Sequence, residues 1–276
     1  MAVMTELETR TYGLSGPTVI VLHGGPAAVG SAGPLARGLA GCCRVLEPWQ
    51  RGSGLEPLTV AKHVADLNEL VTGVLPSKPV LVGESWGAML ALAYAAVHPD
   101  AVRAVVLVGC GTFDEEARAQ FVRTRDQRKT ADMLRRLEQL QAECPDAAKR
   151  CMLEHDLTRR VYDYEPMQAH AGDESPKPFD MKAHTETWND MLRLQKECVY
   201  PAAFAAITCP VLMLHGDYDP HPGPAIYSSL KRFIPQLEWR EIEKCGHSPW
   251  NERWARDGFF NTLHEWIMER ANDWHP

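Results

Sequence analysis

Gly83-Glu84-Ser85-Trp86-Gly87 decides the fold, because it joins a predicted buried strand directly to a predicted helix. Pro79 to Val82 is a short apolar run typical of a buried strand, and Ala88 to Val97 is rich in alanine and leucine, as in a helix. A G-x-S-x-G pattern at such a junction is typical of a sharp, strained turn that lifts the serine hydroxyl clear of a sheet. Ser85 is therefore the candidate nucleophile.

Apolar runs and helical patterns alternate on both sides of this turn. Thr18 to Leu22 and Val102 to Val108 are continuous apolar runs, while Thr9 to Leu14 and Cys43 to Leu46 are weaker strand candidates. Val60 to Leu75 has its apolar residues at helical spacing. Strands that are apolar throughout indicate a mostly parallel sheet covered by helices on both faces. The sequence therefore predicts an α/β fold.

The alternation stops between about residues 112 and 206. That segment is rich in charges and in helical patterns such as Ala131 to Glu143, and it holds no apolar strand pattern. Strand patterns resume at Pro210 to Leu214 and Leu237 to Ile242, followed by a helical pattern from Phe259 to Arg270. We predict one α/β core, residues 1–111 and 207–276, interrupted by a helical cap or lid insertion at 112–206.

The composition and net charge limit the classes of molecule that the protein is expected to bind. The chain has 276 residues, of which 45% are hydrophobic and 24% charged, as expected of a globular protein. Its net charge of −7 argues against nucleic acid and anionic membrane surfaces as partners. The sequence has no apolar stretch of about 18 residues, so we predict no membrane span. The first residues do not resemble a secretory signal. We expect a cytoplasmic monomer or homodimer.

The eight cysteines are scattered and none forms a C-x-x-C pair, so the sequence gives no indication of a zinc site. In a chain without a secretory signal we expect them to be reduced thiols. We therefore expect no metal and no cofactor.

A serine hydroxyl needs a base to accept its proton. Of the 11 histidines, His247 lies between the last predicted strand and the last predicted helix, where such a sheet returns a loop to the serine. The imidazole in turn needs a carboxylate to orient it. Asp219 and Asp217 both follow the strand at 210–214, and Asp219 is preferred because it lies farther out on the loop.

Acyl transfer builds negative charge on a carbonyl oxygen, which backbone N–H groups must stabilise. The residue after the nucleophile, Trp86, supplies one N–H group. The second is expected from the H-G-G-P loop at 23–26, where glycines let the backbone approach a ligand closely. Gly25 is preferred to Gly24 as this donor.

Five further residues are candidates for the surroundings of the site. His23 could orient the loop that carries Gly25, and Glu84 could tune the site or bind a polar group of the substrate. Arg51 could brace the loops or contact the substrate. Trp188 and Trp250 could line an apolar pocket, as could the nearby Trp254, although tryptophans more often simply pack.

Five motifs occur in a fixed order: H-G-G-P at 23–26, Q-R-G-S-G at 50–54, G-E-S-W-G at 83–87, G-D-Y-D at 216–219 and G-H-S at 246–248. In this combination the chain resembles the proline iminopeptidase branch of the α/β-hydrolases, over about residues 15–110 and 208–270. The resemblance implies an α/β-hydrolase fold, a helical cap over the site and a triad of Ser85, Asp219 and His247. Trp49 departs from the pattern, since family members usually carry aspartate there.

The resemblance leaves the substrate open. Iminopeptidases of this family hold the free amine of the substrate with cap carboxylates, and Glu165, Glu186 and Asp190 are carboxylates of the predicted cap. The ordinary role of such residues is a solvated helix face. We expect hydrolysis of a small ester or amide through an acyl-enzyme, and Trp49 favours a carboxylesterase over an aminopeptidase.

Other functions remain alternatives on the same fold. The same triad can hydrolyse a carbon–carbon bond in a diketone, and a ligand sensor can retain the triad with slow turnover. A non-catalytic scaffold is the least expected, because all three triad residues are present. Epoxide hydrolase and dehalogenase chemistry would need a carboxylate nucleophile where Ser85 stands.

Overall fold

A computed structural model describes residues 7–75, 77–167 and 177–271. Its strands are β1 (Thr9–Tyr12), β2 (Thr18–Leu22), β3 (Arg44–Pro48), β4 (Val80–Glu84), β5 (Ala104–Val108), β6 (Val211–Gly216) and β7 (Leu237–Ile242). They form a seven-stranded sheet in the order β1-β3-β2-β4-β5-β6-β7. β1 is antiparallel to β3, and the other neighbours are parallel. The predicted fold class, a mostly parallel sheet flanked by helices, is confirmed.

The helices of the described residues are α1 (Gly33–Leu39), α2 (Val60–Val74), α3 (Trp86–Val97), α4 (Glu115–Arg128), α5 (Ala131–Glu143), α6 (Ala147–Tyr162), α7 (Met181–Lys196), α8 (Gly223–Lys231) and α9 (Arg256–Ala271). Short 3-10 helices span Ala202–Ala206 and Pro249–Asn251. The Thr59 hydroxyl accepts a hydrogen bond from the Lys62 N–H at the start of α2, as in an N-cap. Among these helices, none is both long enough and apolar enough to cross a bilayer.

Helices cover both faces of the sheet. Successive strand residues point to opposite faces, so neighbouring side chains enter two separate cores. Ile20 and Leu81 face a core that includes α2, α3 and α8, whereas Val19 and Val82 face a second core with α1 and α9. All of these strand side chains are almost fully buried. The continuous apolar character of the strands therefore reflects burial on two sides.

The segment between β5 and β6 holds α4, α5, α6 and α7. Both of its ends join the main core, where the rings of Phe113 and Phe204 pack edge to face at 5.0 Å. By contrast, α5 has no buried residue. The insertion is thus fixed at its ends and has an exposed middle part.

α7 is fastened to the start of α2 by two carboxylates. Asp190 Oδ2 accepts a hydrogen bond from the Val60 N–H at 2.8 Å, and Glu186 Oε2 accepts one from the Leu58 N–H at 2.9 Å. The first N–H groups of a helix have no partner within the helix. Asp190 therefore supplies an acceptor that the first turn of α2 lacks, and together with Glu186 it fixes the insertion to the core.

Candidate active site

The candidate site lies where the carboxyl ends of the parallel strands meet. Ser85 follows β4, Asp219 lies in the loop after β6, and His247 lies in the loop after β7. β4, β5, β6 and β7 are consecutive in the sheet. Loops at this edge of an open α/β sheet are the usual place for a binding site.

Ser85 occupies a strained turn between β4 and α3. Its backbone dihedrals are φ 52° and ψ −115°, a region that non-glycine residues rarely adopt and that is enriched at functional sites. A Cβ atom on Gly83 would lie 2.2 Å from the Gly87 oxygen, and one on Gly87 would lie 2.1 Å from the Leu22 oxygen. The two glycines are therefore required by the close packing of this turn, as the sequence pattern predicted.

His247 and Asp219 are joined by a hydrogen bond of 2.7 Å between Nδ1 and Oδ2. Because a carboxylate only accepts, Nδ1 carries a proton, and in the neutral ring the lone pair is therefore on Nε2. Asp217 has a different partner, since its Oδ1 accepts the Cys245 N–H at 3.1 Å. The geometry thus brings His247 together with Asp219 rather than with Asp217.

The charges of this pair stabilise each other. Burial on its own would lower the pKa of His247, but the charge of Asp219 and its hydrogen bond outweigh burial and raise that pKa to about 9. Burial would raise the pKa of Asp219, yet the neighbouring histidines, His247 first, hold that pKa well below its ordinary value. The site therefore favours the imidazolium that a general base becomes when it takes a proton.

The H-G-G-P loop offers one free donor rather than two. The Gly24 N–H donates to Glu84 Oε1 at 3.0 Å, and the same oxygen accepts from the Ser31 hydroxyl at 2.6 Å. This contradicts the expectation that Gly24 could supply an oxyanion donor, because its N–H already has an acceptor. Glu84 accordingly holds this loop in place, and burial raises its pKa.

Gly25 and Trp86 remain as donors. Gly25 has φ 115°, and a Cβ atom there would lie 2.6 Å from the Ala28 nitrogen. Within the described part of the chain, its N–H has no hydrogen-bond acceptor. Trp86 is the first residue of α3, so its N–H has no partner inside the helix. The N–H groups of Gly25 and Trp86 are therefore the two candidate oxyanion donors.

His23 is a structural partner of this loop. Its Nδ1 donates to the Gly24 oxygen at 2.9 Å, and its Nε2 accepts the Gln50 N–H at 3.2 Å. Burial lowers the pKa of His23 to about 4, so the ring stays neutral. With both nitrogens engaged, His23 orients the loop and has no free nitrogen for proton transfer.

Gln50 is a residue whose role the sequence analysis missed. Its side-chain nitrogen donates to the His23 oxygen at 3.0 Å, and its Oε1 accepts from the Trp86 indole nitrogen at 2.8 Å. Gln50 thereby connects the H-G-G-P loop with the turn that carries Ser85. The Q-R-G motif was the signal, but sequence alone does not show which side chain makes the connection.

Two other pocket candidates are accounted for by packing and pairing. The Arg51 guanidinium makes two hydrogen bonds with the buried carboxylate of Asp66 in α2, which supports bracing rather than substrate contact. Trp250 is buried in the core beneath α9, with its ring 6.4 Å from that of Phe259. This contact favours the packing role of Trp250 over the pocket-lining role.

Trp188 and Trp254 differ from each other. Trp188 is half-buried and packs against the core beside α3. Trp254 is exposed, and its indole nitrogen donates to Glu165 Oε2 at 2.7 Å. Glu165 also pairs with Arg253 at 3.0 Å. All three carboxylates considered for the cap are thus engaged in contacts that fix the insertion.

The insertion also holds the loop that carries His247. The fully buried Glu252 accepts hydrogen bonds from the N–H groups of Tyr164 and Glu165 in the insertion and of Gly246 beside the base, at 2.6 to 2.7 Å. The His247 N–H donates to the Tyr162 oxygen at 3.0 Å. The position of His247 therefore depends on the insertion, which no local sequence pattern indicated.

His221 places a second imidazole on Asp219. Its Nδ1 donates to Asp219 Oδ1 at 2.9 Å, and its ring stacks on that of His247 with centroids 4.8 Å apart and an angle of 26° between the planes. The three side chains bring possible metal-ligand atoms within 4.8 Å of one another. Stacked imidazoles, however, direct their in-plane lone pairs side by side rather than toward one ion. The geometry suits a shared carboxylate better than a metal centre.

Known proteins share both this fold and part of this sequence. The sequence matches the family described as alpha/beta hydrolase fold over residues 17–250. A proline iminopeptidase from Neisseria gonorrhoeae is 38% identical over 103 residues, covering 34% of this chain and 33% of that protein. A probable proline iminopeptidase from Streptomyces coelicolor is 32% identical over 109 residues, covering 35% and 34%. The chain thus aligns with about a third of the length of these curated relatives.

Solved structures match over nearly the whole chain. A thermophilic esterase from Thermogutta terrifontis superposes with a TM-score of 0.63 at 21% identity, covering 96% of this chain and 94% of that one. VinJ superposes with a TM-score of 0.66 at 21% identity, covering 95% and 94%. At this identity the likeness concerns the fold alone. Together with the family match, it shows that the chain belongs to the alpha/beta hydrolase fold family.

Proposed function

We propose that the protein is a serine hydrolase that cleaves a small ester or amide through an acyl-enzyme on Ser85. The observation that carries this proposal is the strained Ser85 turn at the same sheet edge as the 2.7 Å bond between His247 and Asp219. His247 Nε2 takes the serine proton, and the oxygen of Ser85 attacks the carbonyl carbon. The N–H groups of Gly25 and Trp86 stabilise the resulting oxyanion.

The remaining steps use the same groups. The imidazolium of His247 gives its proton to the leaving alcohol or amine as the carbonyl re-forms, which leaves an ester on Ser85. A water molecule then attacks that ester, with His247 again as the base, and releases the acid. Asp219 keeps its charge throughout and stabilises the imidazolium.

The insertion is the proposed cap of the site. Residues 112–206 are tied through Tyr162 and Glu252 to the loop that carries His247. A segment in this position can cover the nucleophile and restrict which acyl groups reach it. We propose that its inner helices, rather than the exposed α5, set the substrate class.

An ester is the favoured substrate over an N-terminal proline peptide. Binding a free amine requires an available carboxylate, whereas Glu186 and Asp190 accept backbone hydrogen bonds and Glu165 pairs with Arg253. Trp49 also departs from the iminopeptidase pattern. The iminopeptidase function remains the second candidate, because the curated relatives carry that name.

A substrate panel tests the choice. Nitrophenyl esters with acyl chains of increasing length would be compared with proline arylamides, using the wild-type protein and Ser85→Ala. We expect ester turnover that depends on chain length, weak cleavage of proline arylamides, and loss of both in Ser85→Ala. A preference for proline arylamides would replace the esterase assignment by the iminopeptidase one, and turnover retained in Ser85→Ala would overturn both.

A further inference from the structure

Asp219 accepts hydrogen bonds from two imidazoles, only one of which the proposed mechanism uses. Its Oδ2 faces His247 Nδ1, while its Oδ1 accepts both the backbone N–H and the Nδ1–H of His221, each at 2.9 Å. The carboxylate itself is fully buried. His215 Nε2 also lies 3.3 Å from Oδ2, so the charge of Asp219 is shared among His247, His215 and His221.

His221 is held rigidly by its own surroundings. Its carbonyl oxygen accepts a hydrogen bond from His215 Nε2 at 3.0 Å. One face of its ring stacks on Phe121 of α4, with centroids 4.1 Å apart and planes 13° apart. It also stacks on His247. A continuous column of rings thus runs from α4 of the insertion to His247.

Charged and titratable groups surround the column on several elements. Arg125 of α4 lies over the Phe121 ring at 5.4 Å, and Tyr162 of α6 lies 6.5 Å from the His221 ring. Asp219 and His247 face His221 from the loops after β6 and β7, and His215 faces it from the end of β6. Burial, more than any of these charges, lowers the pKa of His221. A neutral His221 beside the imidazolium of His247 avoids repulsion between two cations.

We propose that His221 is a positioning residue for the catalytic base, which shares Asp219 through its Nδ1–H and fixes the plane of the His247 ring by stacking. The inference rests on the proposed function, because it requires His247 to act as the base. The two contributions are separable. The hydrogen bond limits how strongly Asp219 attracts the imidazolium, and the stack restricts rotation of the His247 ring about its bond to Asp219.

Two variants separate these contributions. His221→Phe keeps an aromatic ring between Phe121 and His247 but removes the donor to Asp219. His221→Asn keeps a side-chain N–H near the position of Nδ1 but removes the ring. The backbone N–H of residue 221 still reaches Asp219 in both variants, so the loop retains one of its two bonds. His98→Asn is the matched control, because His98 also packs on an aromatic ring, that of Tyr94, at the opposite end of α3 from Ser85.

The experiment measures the rate at which a fluorophosphonate labels Ser85, as a function of pH, in proteins whose unfolding temperature has been recorded. We expect the acidic limb of the rate profile to move up by about one pH unit in His221→Phe, because a lost hydrogen bond to a charged group is of that size. In His221→Asn we expect an unmoved limb and a rate about 10-fold lower, since an unrestrained ring is aligned less often. His98→Asn should match the wild-type protein.

Three results are distinguishable. Wild-type rates and an unmoved limb in both variants would overturn the proposal. Equal losses of rate in both, with no movement of the limb, would also overturn it, because packing alone would then explain the effect. No labelling of Ser85 in the wild-type protein would instead refute the proposed function on which the inference rests.

Discussion

Asp217 and Asp219 lie two residues apart in the loop after β6, yet they have different partners. Asp219 accepts from His247, whereas Asp217 accepts from the Cys245 backbone N–H. We predict that Asp219→Asn lowers kcat by about 10⁴-fold, because the amide favours the wrong tautomer of His247. Asp217→Asn is the matched control and should keep kcat within a few-fold of wild type. The measurement is steady-state hydrolysis of the best nitrophenyl ester.

The outcome distinguishes the two carboxylates directly. If Asp217→Asn proved the more damaging to kcat at equal stability, the assignment of the acid would have to move to Asp217. The unfolding temperatures of both variants need to be measured alongside, since Asp217 fixes the loop that leads to His247 through Cys245.

The pH dependence of activity follows from the environment of His247. Only the neutral His247 ring accepts a proton, so kcat/KM should rise with pH as the imidazolium is deprotonated. Because Asp219 raises the pKa of His247 to about 9, the limb should lie above 6.5, the ordinary value for histidine. Asp219→Asn removes the charge and should move the limb to lower pH. A wild-type limb at or below 6.5 would be inconsistent with this environment.

Sequence predicted the residues that belong to motifs and missed those defined by distant contacts. Ser85 stands out because its turn requires glycines two residues away on both sides. Glu252 and His221 carry no such pattern, since their partners are set by how separate loops pack. The bond between the Gly24 N–H and Glu84 and the packing of Trp250 beneath α9 likewise become visible only in three dimensions.

At the scale of the elements, the loop after β2 should be sensitive to a single methyl group at Gly25. In Gly25→Ala the new Cβ atom would collide with the Ala28 nitrogen, and the residue would have to keep a positive φ. We predict a fall in kcat of about 10²-fold or more, the size expected for a lost oxyanion donor, with a smaller change in KM. Steady-state kinetics with a nitrophenyl ester provides the measurement.

Gly41→Ala serves as the control for this prediction. No atom lies within 4 Å of a Cβ at Gly41, so the substitution should leave kcat unchanged. Similar losses in the two variants would show that the loop does not supply a donor. Unchanged kcat in Gly25→Ala would likewise exclude Gly25 from the oxyanion site.

Elements with an uninterrupted apolar or helical pattern were predicted better than those that begin with turn residues. α2, α5 and the buried strands were recognised with boundaries close to those observed, because each has such a pattern. α1 and α8 were not predicted. They are short, and both begin with glycine and proline, residues that on their own indicate a turn.

At the scale of the whole molecule, Glu252 joins the insertion to the core. Its buried carboxylate accepts three backbone N–H groups, from both sides of the junction. Glu252→Ala would leave these donors without a partner, so we predict a loss of about 3 kcal/mol in the free energy of unfolding. For a chain of this size the unfolding temperature should fall by roughly 5–10 °C. Calorimetry measures both quantities.

Glu265→Ala is a suitable control, because Glu265 is exposed on α9. It should change the unfolding temperature by no more than about 1 °C. Hydrogen exchange adds a local readout, since the Gly246 N–H should exchange faster in Glu252→Ala. An unchanged unfolding temperature and unchanged exchange would mean that the junction does not depend on Glu252.

The overall architecture was predictable, whereas the docking of the insertion was not. Burial on both faces makes the strands apolar throughout, and this pattern is visible in a single sequence. The insertion is held instead by single polar contacts, such as those of Asp190 and Glu252. Charged residues on helices usually face solvent, so the sequence could not show which of them would be buried.

The most direct test of an activated Ser85 is covalent labelling with a fluorophosphonate, followed by measurement of the protein mass and mapping of the modified residue. We predict one adduct, located on Ser85, that disappears in Ser85→Ala and forms far more slowly in His247→Ala and Asp219→Asn. A folded wild-type protein that gains no adduct, or that carries it on another residue, would contradict the account.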